Sequence, residues 1–298
     1  MNALPEPAFL IVNADDYGYF RCVSQGIVEA ATRGIVTATG VFANAERFDE
    51  DMPALRDCAA LDAGVHLNLT DGRPLTADMR ASLGRWGGRF PGKFTMARAV
   101  TMGSVRVHEV AAEWRAQIER CLDAGLKLQF LNSHEHIHML PVLFTLVQAF
   151  AKEYQIPHVR LASADLRRYR GGGALLRGAI IGALAALARR RATQTVARFL
   201  GLEASGKLSL ADLDAVTSDL QPGTVYELMC HPGRFDRAEV TDPRLLRYHD
   251  WQGELATLTD PRAKALLAER GIRLVGYRDL QVSNERLVLR AGARGVPA

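Results

Sequence analysis

Residues 9–18 read FLIVNADDYG, an apolar run that ends in two adjacent carboxylates. The continuous apolar character of residues 9–14 predicts a strand buried on both faces, and residues 23–32 then have the periodicity of a helix. The same alternation recurs along the chain. Further strands are predicted at 35–42, 64–70, 126–132, 158–162, 224–231 and 273–277, and further helices at 47–59, 105–124, 208–220, 262–270 and from Pro141 onward. Alternating strands and helices predict parallel βαβ units.

The arrangement of these units has two alternatives. In a (β/α) barrel and in an open doubly wound sheet alike, functional residues lie at the carboxyl ends of the strands. About seven strands are countable, and no glycine-rich nucleotide-binding loop follows any of them. We therefore expect an α/β fold, a deformed (β/α) barrel of about seven parallel strands, in a single domain over residues 1–298. Residues 71–104 and 164–207 are expected to be insertions or covering segments.

Composition restricts the functional classes. The chain has 298 residues, 48% of them hydrophobic and 23% charged, which is ordinary for a globular protein. Its four cysteines show no CxxC spacing, which argues against a zinc ribbon or a disulfide framework and fits a reducing compartment. No secretory signal or membrane-spanning stretch is visible, so we expect a cytoplasmic protein. A net charge of +4 does not indicate a nucleic-acid partner.

The charge is unevenly distributed. Residues 160–200 contain nine arginines and one aspartate, so this segment carries +8 and the remainder −4. Within it, Leu176, Ile180, Leu184 and Leu187 share one helical stripe, followed by Arg189–Arg191. One interpretation is a barrel helix with a buried apolar face. The other is a peripheral contact of residues 174–200 with an anionic membrane at its inner face.

Polar residues follow several of the predicted strands. Asp15 and Asp16 end the first strand, His66 lies in GVHLNLT (64–70), and His231 lies in ELMCHPG (227–233). Adjacent carboxylates at the end of a buried strand are costly unless a cation compensates them, and aspartate with histidine is a ligand set of catalytic divalent ions. Taken one by one, the aspartates also fit a turn, and His66 also fits a core histidine.

The stretch NSHEHIHMLP (132–141) places His134, His136 and His138 at every second position. In a regular strand the first and third would lie about 13 Å apart, whereas the ligand atoms of one zinc ion lie within about 4 Å. One metal therefore cannot bind all three. The residues alone leave open which of them is a ligand, and they also allow a solvated loop.

The sequence argues against two kinds of nucleophilic catalysis. Strand alternation places Glu227 and His231 on one face and Cys230 on the other, so Cys230 and His231 are not expected to form a dyad. No GxSxG motif is present, so a serine hydrolase is not expected either.

Together, NADDYG, GVHLNLTDGRPL, NSHEHIHMLP and ELMCHPG, in this order, resemble the YdjC-like family of carbohydrate deacetylases. That family includes chitooligosaccharide deacetylases and a hopanoid-biosynthesis-associated branch. The resemblance runs from about residue 9 to 280 and is weakest over 164–207. It implies a deformed (β/α) barrel and the metal-dependent removal of an N-acetyl group from an amino-sugar oligosaccharide or glycolipid. It also implies one divalent ion, Zn²⁺ or Mg²⁺, and allows a homodimer.

The resemblance also implies roles for individual residues. Asp16, His66 and His134 are expected to bind the metal, Asp15 to act as the base on water, and His231 to act as the general acid. Four further residues are expected to line the cleft or to support the ligands, namely Asn68, His136, His138 and Glu227. Asp71 stands where many relatives have another histidine, so the substrate contacts there are expected to differ.

Two other classes compete with this hypothesis. A metal-dependent sugar isomerase or lyase on a (β/α) barrel would also use carboxylates and histidines, but this chain has few lysines at its strand ends. A non-catalytic sugar-binding protein would not need both Asp15 and His231. Release of acetate from N-acetylated sugars would distinguish the deacetylase from both.

Overall fold

A computed structural model describes residues 6–164, 172–192, 196–283 and 286–293. The strands are β1 (Ala8–Tyr17), β2 (Ala38–Val41), β3 (Asp62–Leu67), β4 (Leu128–Ser133), β5 (His158–Val159), β6 (Arg198–Leu200), β7 (Val225–Cys230), β8 (Ile272–Leu274), β9 (Leu280–Ser283) and β10 (Arg286–Leu289). The helices are α1 (Arg21–Arg33), α2 (Phe48–Asp57), α3 (Ala77–Ser82), α4 (Lys93–Thr101), α5 (Val107–Asp123), α6 (Pro141–Glu153), α7 (Gly172–Arg189), α8 (Leu210–Thr217), α9 (Pro243–Tyr248), α10 (Trp251–Thr259) and α11 (Pro261–Glu269).

Seven strands form one parallel path in the order β5-β4-β3-β2-β1-β7-β6, which confirms the deformed (β/α) barrel. The eighth parallel strand, β8, pairs with the first part of β1, Ala8–Leu10. Strand β2 pairs with a later part of β1, from Asn13 onward. Within the described residues no pairing joins β5 to β6, so the barrel is open there. The sheet still curls enough for Arg160, just after β5, to contact side chains of β1 and β7.

Alternation along β1 divides the molecule into an outer core and a barrel interior. Leu10, Val12 and Ala14 belong to the large core beneath the helices. Phe9 and Ile11 belong to a second cluster together with residues of other strands, such as Phe130. This cluster also includes Leu280 and Leu287 of the antiparallel β9–β10 hairpin. The amino-terminal end of the barrel interior is therefore apolar, and polar residues occupy the opposite end.

The two segments expected to be insertions contain regular structure. Residues 71–104 include α3 and α4, and the buried Glu113 of α5 anchors this segment by accepting hydrogen bonds from the backbone N–H groups of Leu75 and Thr76. Residues 164–207 include α7 and β6, which is a strand of the main sheet. The sequence analysis did not predict β6. Residues 165–171 and 193–195 lie outside the described residues.

Most of the apolar stripe on α7 is exposed, whereas the interpretation of α7 as a barrel helix requires a buried stripe. The buried positions of α7 include Ala185 and Ala188, whereas Leu176, Ile180 and Leu187 are 64%, 52% and 45% exposed. The expectation that this stripe faces the core is therefore wrong for these three residues. Helix α7 contacts α6, and Leu184 is the member of the stripe that is partly buried against the core. Within the described residues, no helix combines the length and apolarity required to span a membrane.

Candidate active site

The polar end of the barrel interior collects side chains from five strand ends. They are Asp15 of β1, His66 of β3, Asn132 of β4, Arg160 directly after β5, and Glu227 of β7. Each of these residues is at most 2% exposed. They occupy interior-facing positions: Asn132 and Glu227 lie two residues after Phe130 and Val225 of the apolar cluster, and Asp15 lies four residues after Ile11. Parallel strands bring their carboxyl ends to the same edge, which places these side chains together.

A local irregularity directs both adjacent aspartates into this space. In a regular strand, Asp15 and Asp16 would face opposite sides of the sheet. The pairing of β1 with β2 shifts register between Ala14 and Tyr17, and Asp16 has a left-handed φ of 73°. Bulges of this kind redirect side chains next to functional sites. As a result, Asp15 Oδ1 lies 3.8 Å from Nδ1 of His66, and Asp16 Oδ1 lies 3.2 Å from Nε2 of the same ring.

Asp16, His66 and His134 form a compact set of candidate metal ligands. The Asp16 Oδ1 atom lies 3.0 Å from His134 Nδ1, and one ligand atom from each residue lies within 4.8 Å of the others. Within the described residues this is the one such group of histidine, cysteine, aspartate and glutamate. One carboxylate and two imidazoles match the donors of catalytic divalent-metal sites with open positions.

The hydrogen bonds of His66 prepare it for this role. Its Nδ1 lies 2.8 Å from Oδ1 of Asn132, and Asn132 donates through its amide to Asp15. Because the amide oxygen only accepts, Nδ1 donates this hydrogen bond, and Nε2 is directed toward Asp16. Nε2 is buried without a hydrogen-bond partner. A ligating histidine whose other ring nitrogen donates to a supporting group is the usual arrangement, so the residues present fit a metal ion.

Without a cation, the ligand set is held by its own charges. Burial opposes ionisation of Asp16, but His134 outweighs it and keeps the pKa of this carboxyl well below its ordinary value. Burial would likewise lower the pKa of His134, yet Asp16 raises it to about 9. A bound divalent ion would replace the His134 proton, as metal binding to histidine requires.

The three histidines do not lie along one strand. Strand β4 ends at Ser133, and the chain then turns sharply through left-handed φ values of 52° at Glu135 and 55° at His136. Such values are uncommon outside glycine and indicate strain at a functional segment. This turn brings His134 to Asp16 and directs His136 and His138 elsewhere.

Both ring nitrogens of His138 are used within the protein. Nδ1 lies 2.5 Å from Oγ of Ser133, and Nε2 lies 2.9 Å from the carbonyl oxygen of Arg160. Burial lowers its pKa to about 4, so the ring is neutral. His136 packs its ring edge-on against Phe199 with its Nδ1 buried and unpartnered, and burial lowers its pKa well below the ordinary value. His138 therefore supports the strand ends, and His136 packs against Phe199 of β6.

Arg160 is a central residue that the sequence analysis did not single out. Its guanidinium donates to both oxygens of Asp15, at 2.6 and 2.9 Å, and its Nε donates to Glu227 at 2.6 Å. Burial would raise the pKa of Asp15, but Arg160 outweighs it and lowers the pKa to about 2. The signal was present, because Arg160 lies in the predicted strand 158–162, but its charge was assigned to the basic segment.

The other predicted supporting residues make defined contacts. Glu227 also accepts a hydrogen bond from Asn13, so it belongs to the Arg160 network. Asn68 accepts hydrogen bonds from the backbone of Thr70 and Asp71 and donates to Asn44 and to the Asp71 carbonyl, which shapes the loop after β3. A direct substrate contact of Asn68 remains a prediction.

His231 follows β7 and is 7% exposed. The carboxylates of Asp16 and Asp15 act to raise the pKa of the His231 ring, but burial has the larger effect and lowers it. Its Nδ1 is buried without a partner, and its ring lies 5.1 Å from that of His249, centroid to centroid. Its backbone N–H donates to Glu254 at 2.6 Å. His249 and Glu254 are neighbours of the site that the sequence analysis missed, because they belong to a segment about 20 residues further along the chain.

Comparisons with known proteins find relatives over most of the chain. A family model described as YdjC-like protein matches residues 9–269. The chain is 32% identical over 279 residues to a carbohydrate deacetylase of Geobacillus stearothermophilus, covering 92% of this chain and 98% of that protein. It is 31% identical over 280 residues to a chitooligosaccharide deacetylase of Yersinia pestis (strain Pestoides F), covering 91% and 98%. A crystal structure from Enterococcus faecalis V583, of a proposed cellobiose-phosphate cleavage protein, superimposes with a TM-score of 0.73 at 27% identity, covering 91% and 98%.

Proposed function

The chain belongs to the YdjC-like protein family, and we propose that it is a metal-dependent carbohydrate N-deacetylase that releases acetate from an N-acetylated amino sugar. The observation that carries the proposal is the convergence of Asp16, His66 and His134 at the strand ends, with Asp15 in the same buried space and His231 nearby. Two relatives described as carbohydrate and chitooligosaccharide deacetylases align over more than nine tenths of the chain, which supports it.

Asp16, His66 and His134 would hold one divalent ion. Bound there, the ion would polarise the acetyl carbonyl and lower the pKa of the attacking water. Of Zn²⁺ and Mg²⁺, two imidazole nitrogens favour Zn²⁺, since Mg²⁺ prefers oxygen ligands. The four cysteines are free and buried in the structure, and we propose a cytoplasmic location from this reducing-compartment pattern.

Asp15 would take the proton from the attacking water. Three hydrogen bonds from Arg160 and Asn132 fix the carboxylate: Oδ1 accepts two of them and Oδ2 accepts one. A carboxylate oxygen has two lone pairs, so Oδ2 keeps one for the water. With a pKa of about 2, Asp15 is ionised at any working pH and would hold the proton only briefly.

His231 would deliver a proton to the departing amine. It lies at the end of β7, on the far side of β1 from β3 and His66. A leaving amine needs this proton because an amide anion is a very poor leaving group. General acid and base groups of this kind contribute about 10²–10⁴-fold each.

The test is an acetate-release screen over N-acetylated monosaccharides, oligosaccharides and glycolipids, together with metal analysis of the purified protein. Asp15→Asn and His231→Ala should each keep the metal and lose about 10²–10⁴-fold in kcat. Near-wild-type kcat in both variants would remove the proposed roles. Sugar turnover without acetate would instead favour an isomerase or lyase, and sugar binding without turnover a binding protein.

We further propose that the substrate amino sugar is a glycolipid, reached at an anionic membrane surface. Helix α7 packs against the His134–Met139 segment and exposes Leu176, Ile180 and Leu187, and α4, which packs against the same segment, exposes Phe94 (78%). The exposed Arg189–Arg191 continue from α7. Apolar side chains flanked by arginines complement an anionic surface, at about 1 kcal/mol per arginine.

Co-sedimentation with phosphatidylglycerol vesicles at low salt tests this surface. Ile180→Asp should reduce binding, whereas Val282→Asp, at a position that is 56% exposed on β9, should not. Wild-type protein that stays in the supernatant would contradict membrane contact. A dimer in sedimentation velocity that dissociates in Ile180→Asp would assign the surface to a second copy of the chain.

A further inference from the structure

The carboxyl group of Glu254 lies against the candidate acid His231. Glu254 is 1% exposed in the first turn of α10, and its Oε2 accepts the backbone N–H of His231 at 2.6 Å. A second contact joins the same two segments, because the N–H of Gly233 donates to the carbonyl of Trp251 at 3.1 Å. These two hydrogen bonds therefore hold the start of α10, which carries Glu254, in a fixed position relative to His231.

Two polar atoms of this pair are buried without a partner. They are Oε1 of Glu254, the oxygen not used by the His231 backbone, and Nδ1 of the His231 ring. Unpartnered buried polar atoms are costly and usually point to a missing proton, water or ligand. A carboxylate oxygen and a neutral imidazole nitrogen are both acceptors, so neither can satisfy the other unless one of them carries a proton.

We propose that Glu254 is a positioning residue that holds the proton for His231, an inference that rests on the proposed function. Through one bridging water, the Oε1–H of the neutral carboxyl supplies the hydrogen bond to Nδ1, so that the ring N–H is at Nε2 and serves the departing amine. When the Nε2–H bond breaks and the amine gains that proton, the Oε1–H proton moves to Nδ1 and leaves a Glu254 carboxylate. A solvent proton then returns to Nε2, and the Nδ1 proton returns to Glu254.

The electrostatic environment supports this placement of the proton. Burial raises the pKa of Glu254 to about 8. The backbone N–H groups of His231 and Leu208 act in the opposite direction but have a smaller effect. Burial lowers the pKa of His231, so at neutral pH the proton belongs on the carboxyl. His249 stays neutral, since burial lowers its pKa to about 3. The other charged or titratable groups that face the pair are Asp15, Asp16, His66, Arg160 and Asp250.

Glu254→Gln separates proton supply from a structural role. Glutamine keeps the shape and the acceptor for the His231 N–H but cannot release a proton. We expect kcat to fall about 10- to 100-fold, below the roughly 10²–10⁴-fold of a full general acid, with KM and bound metal unchanged. Wild-type activity needs the protonated carboxyl, so it should fall as the pH rises through about 8, and this alkaline limb should be absent in the variant.

A matched control and a second measurement complete the test. Glu113→Gln removes a charge from a buried carboxyl that holds the backbone of Leu75 and Thr76, and it should cost stability without altering the pH profile. Difference infrared spectroscopy should show a protonated carboxyl band that Glu254→Gln removes and that titrates near pH 8. Wild-type kcat and an intact alkaline limb in Glu254→Gln, or no such band, would overturn the inference. Absence of acetate release by the wild type would count against the proposed function alone, because the infrared band is measured without substrate.

Discussion

Replacing Arg160 with methionine is the most direct test of how the site is held together. The Arg160 side chain is fully buried, and its three hydrogen bonds end on Asp15 and Glu227, whose side chains are 2% and 3% exposed. Arg160→Met keeps much of the side-chain length and removes the guanidinium that pairs with both carboxylates. Two acidic groups would remain buried next to one another.

The expected loss of stability follows from two independent estimates. Removing one partner of a buried ion pair costs about 3–5 kcal/mol, because the other charge stays buried. The pKa of Asp15, lowered from 3.8 to about 2, corresponds to roughly 2 kcal/mol. The second figure counts Asp15 alone, so the two are consistent. We expect the free energy of unfolding to fall by about 2–5 kcal/mol at neutral pH.

The loss should depend on pH with a definite sign. A carboxyl whose pKa is lowered in the folded state stabilises the fold above its unfolded pKa, and this contribution is lost as the pH falls through the folded value. For Asp15 the window runs from 3.8 down to about 2. In Arg160→Met, Asp15 lacks the guanidinium that lowers its pKa, so it is expected to take up a proton at a higher pH than in the wild type. The stability difference between the two proteins should therefore shrink in acid.

Urea unfolding at neutral pH and at about pH 3, inside this window, measures both effects. Arg33→Met is the matched control, since Arg33 is 72% exposed and pairs with Glu29 on the same helix, where such a pair contributes about 0.3–0.5 kcal/mol. The double variant Asp15→Asn with Arg160→Met should lose less than the sum of the single variants. A loss below about 1 kcal/mol at neutral pH, or a difference that does not shrink in acid, would refute the reasoning.

Two further predictions concern the metal. His134→Ala should lose bound metal, whereas His138→Ala should retain most of it, because both ring nitrogens of His138 are already hydrogen-bonded; metal analysis giving the reverse pattern would contradict the ligand set. Gly40→Ala places a Cβ 3.1 Å from Cβ of His66 and should lower metal affinity about 10–100-fold in a chelator titration, whereas Gly84→Ala, with nothing within 4 Å, should leave it unchanged.

Local sequence determined the order of strands and helices. The apolar runs of β1, β3, β4 and β7 were readable because burial on both faces requires continuous apolar character, which is a property of a few neighbouring residues. The same argument places Asp15, His66 and His231 at strand ends, and the parallel order brings those ends together. Strand β6 lies within the segment that was interpreted by its arginines, and the β9–β10 hairpin follows the last predicted strand, so neither was predicted.

Longer-range packing decided what the exposed and basic residues do. The stripe of α7 has the spacing of a buried face, yet Leu176 and Ile180 are exposed. Arg160 belongs by sequence to a cationic segment, yet it is buried between carboxylates 145 and 67 positions away. Helical periodicity and charge counts describe a segment in isolation, and they do not identify the side chains that will lie against it.

The metal cluster itself depended on backbone geometry that no periodicity encodes. By sequence, Asp15 and Asp16 alternate across a strand, and the three histidines follow one strand face. A bulge with a left-handed Asp16 turns both carboxylates inward, and two left-handed residues after His134 end the strand there. Such conformations are unfavourable in isolation and persist only because contacts such as Asp16 with His134, 118 residues apart, hold them. The sequence by itself indicated that Asp15, Asp16, His66, His134 and His231 lie at strand ends. Only the tertiary structure decided which of them meet and placed Arg160 among them.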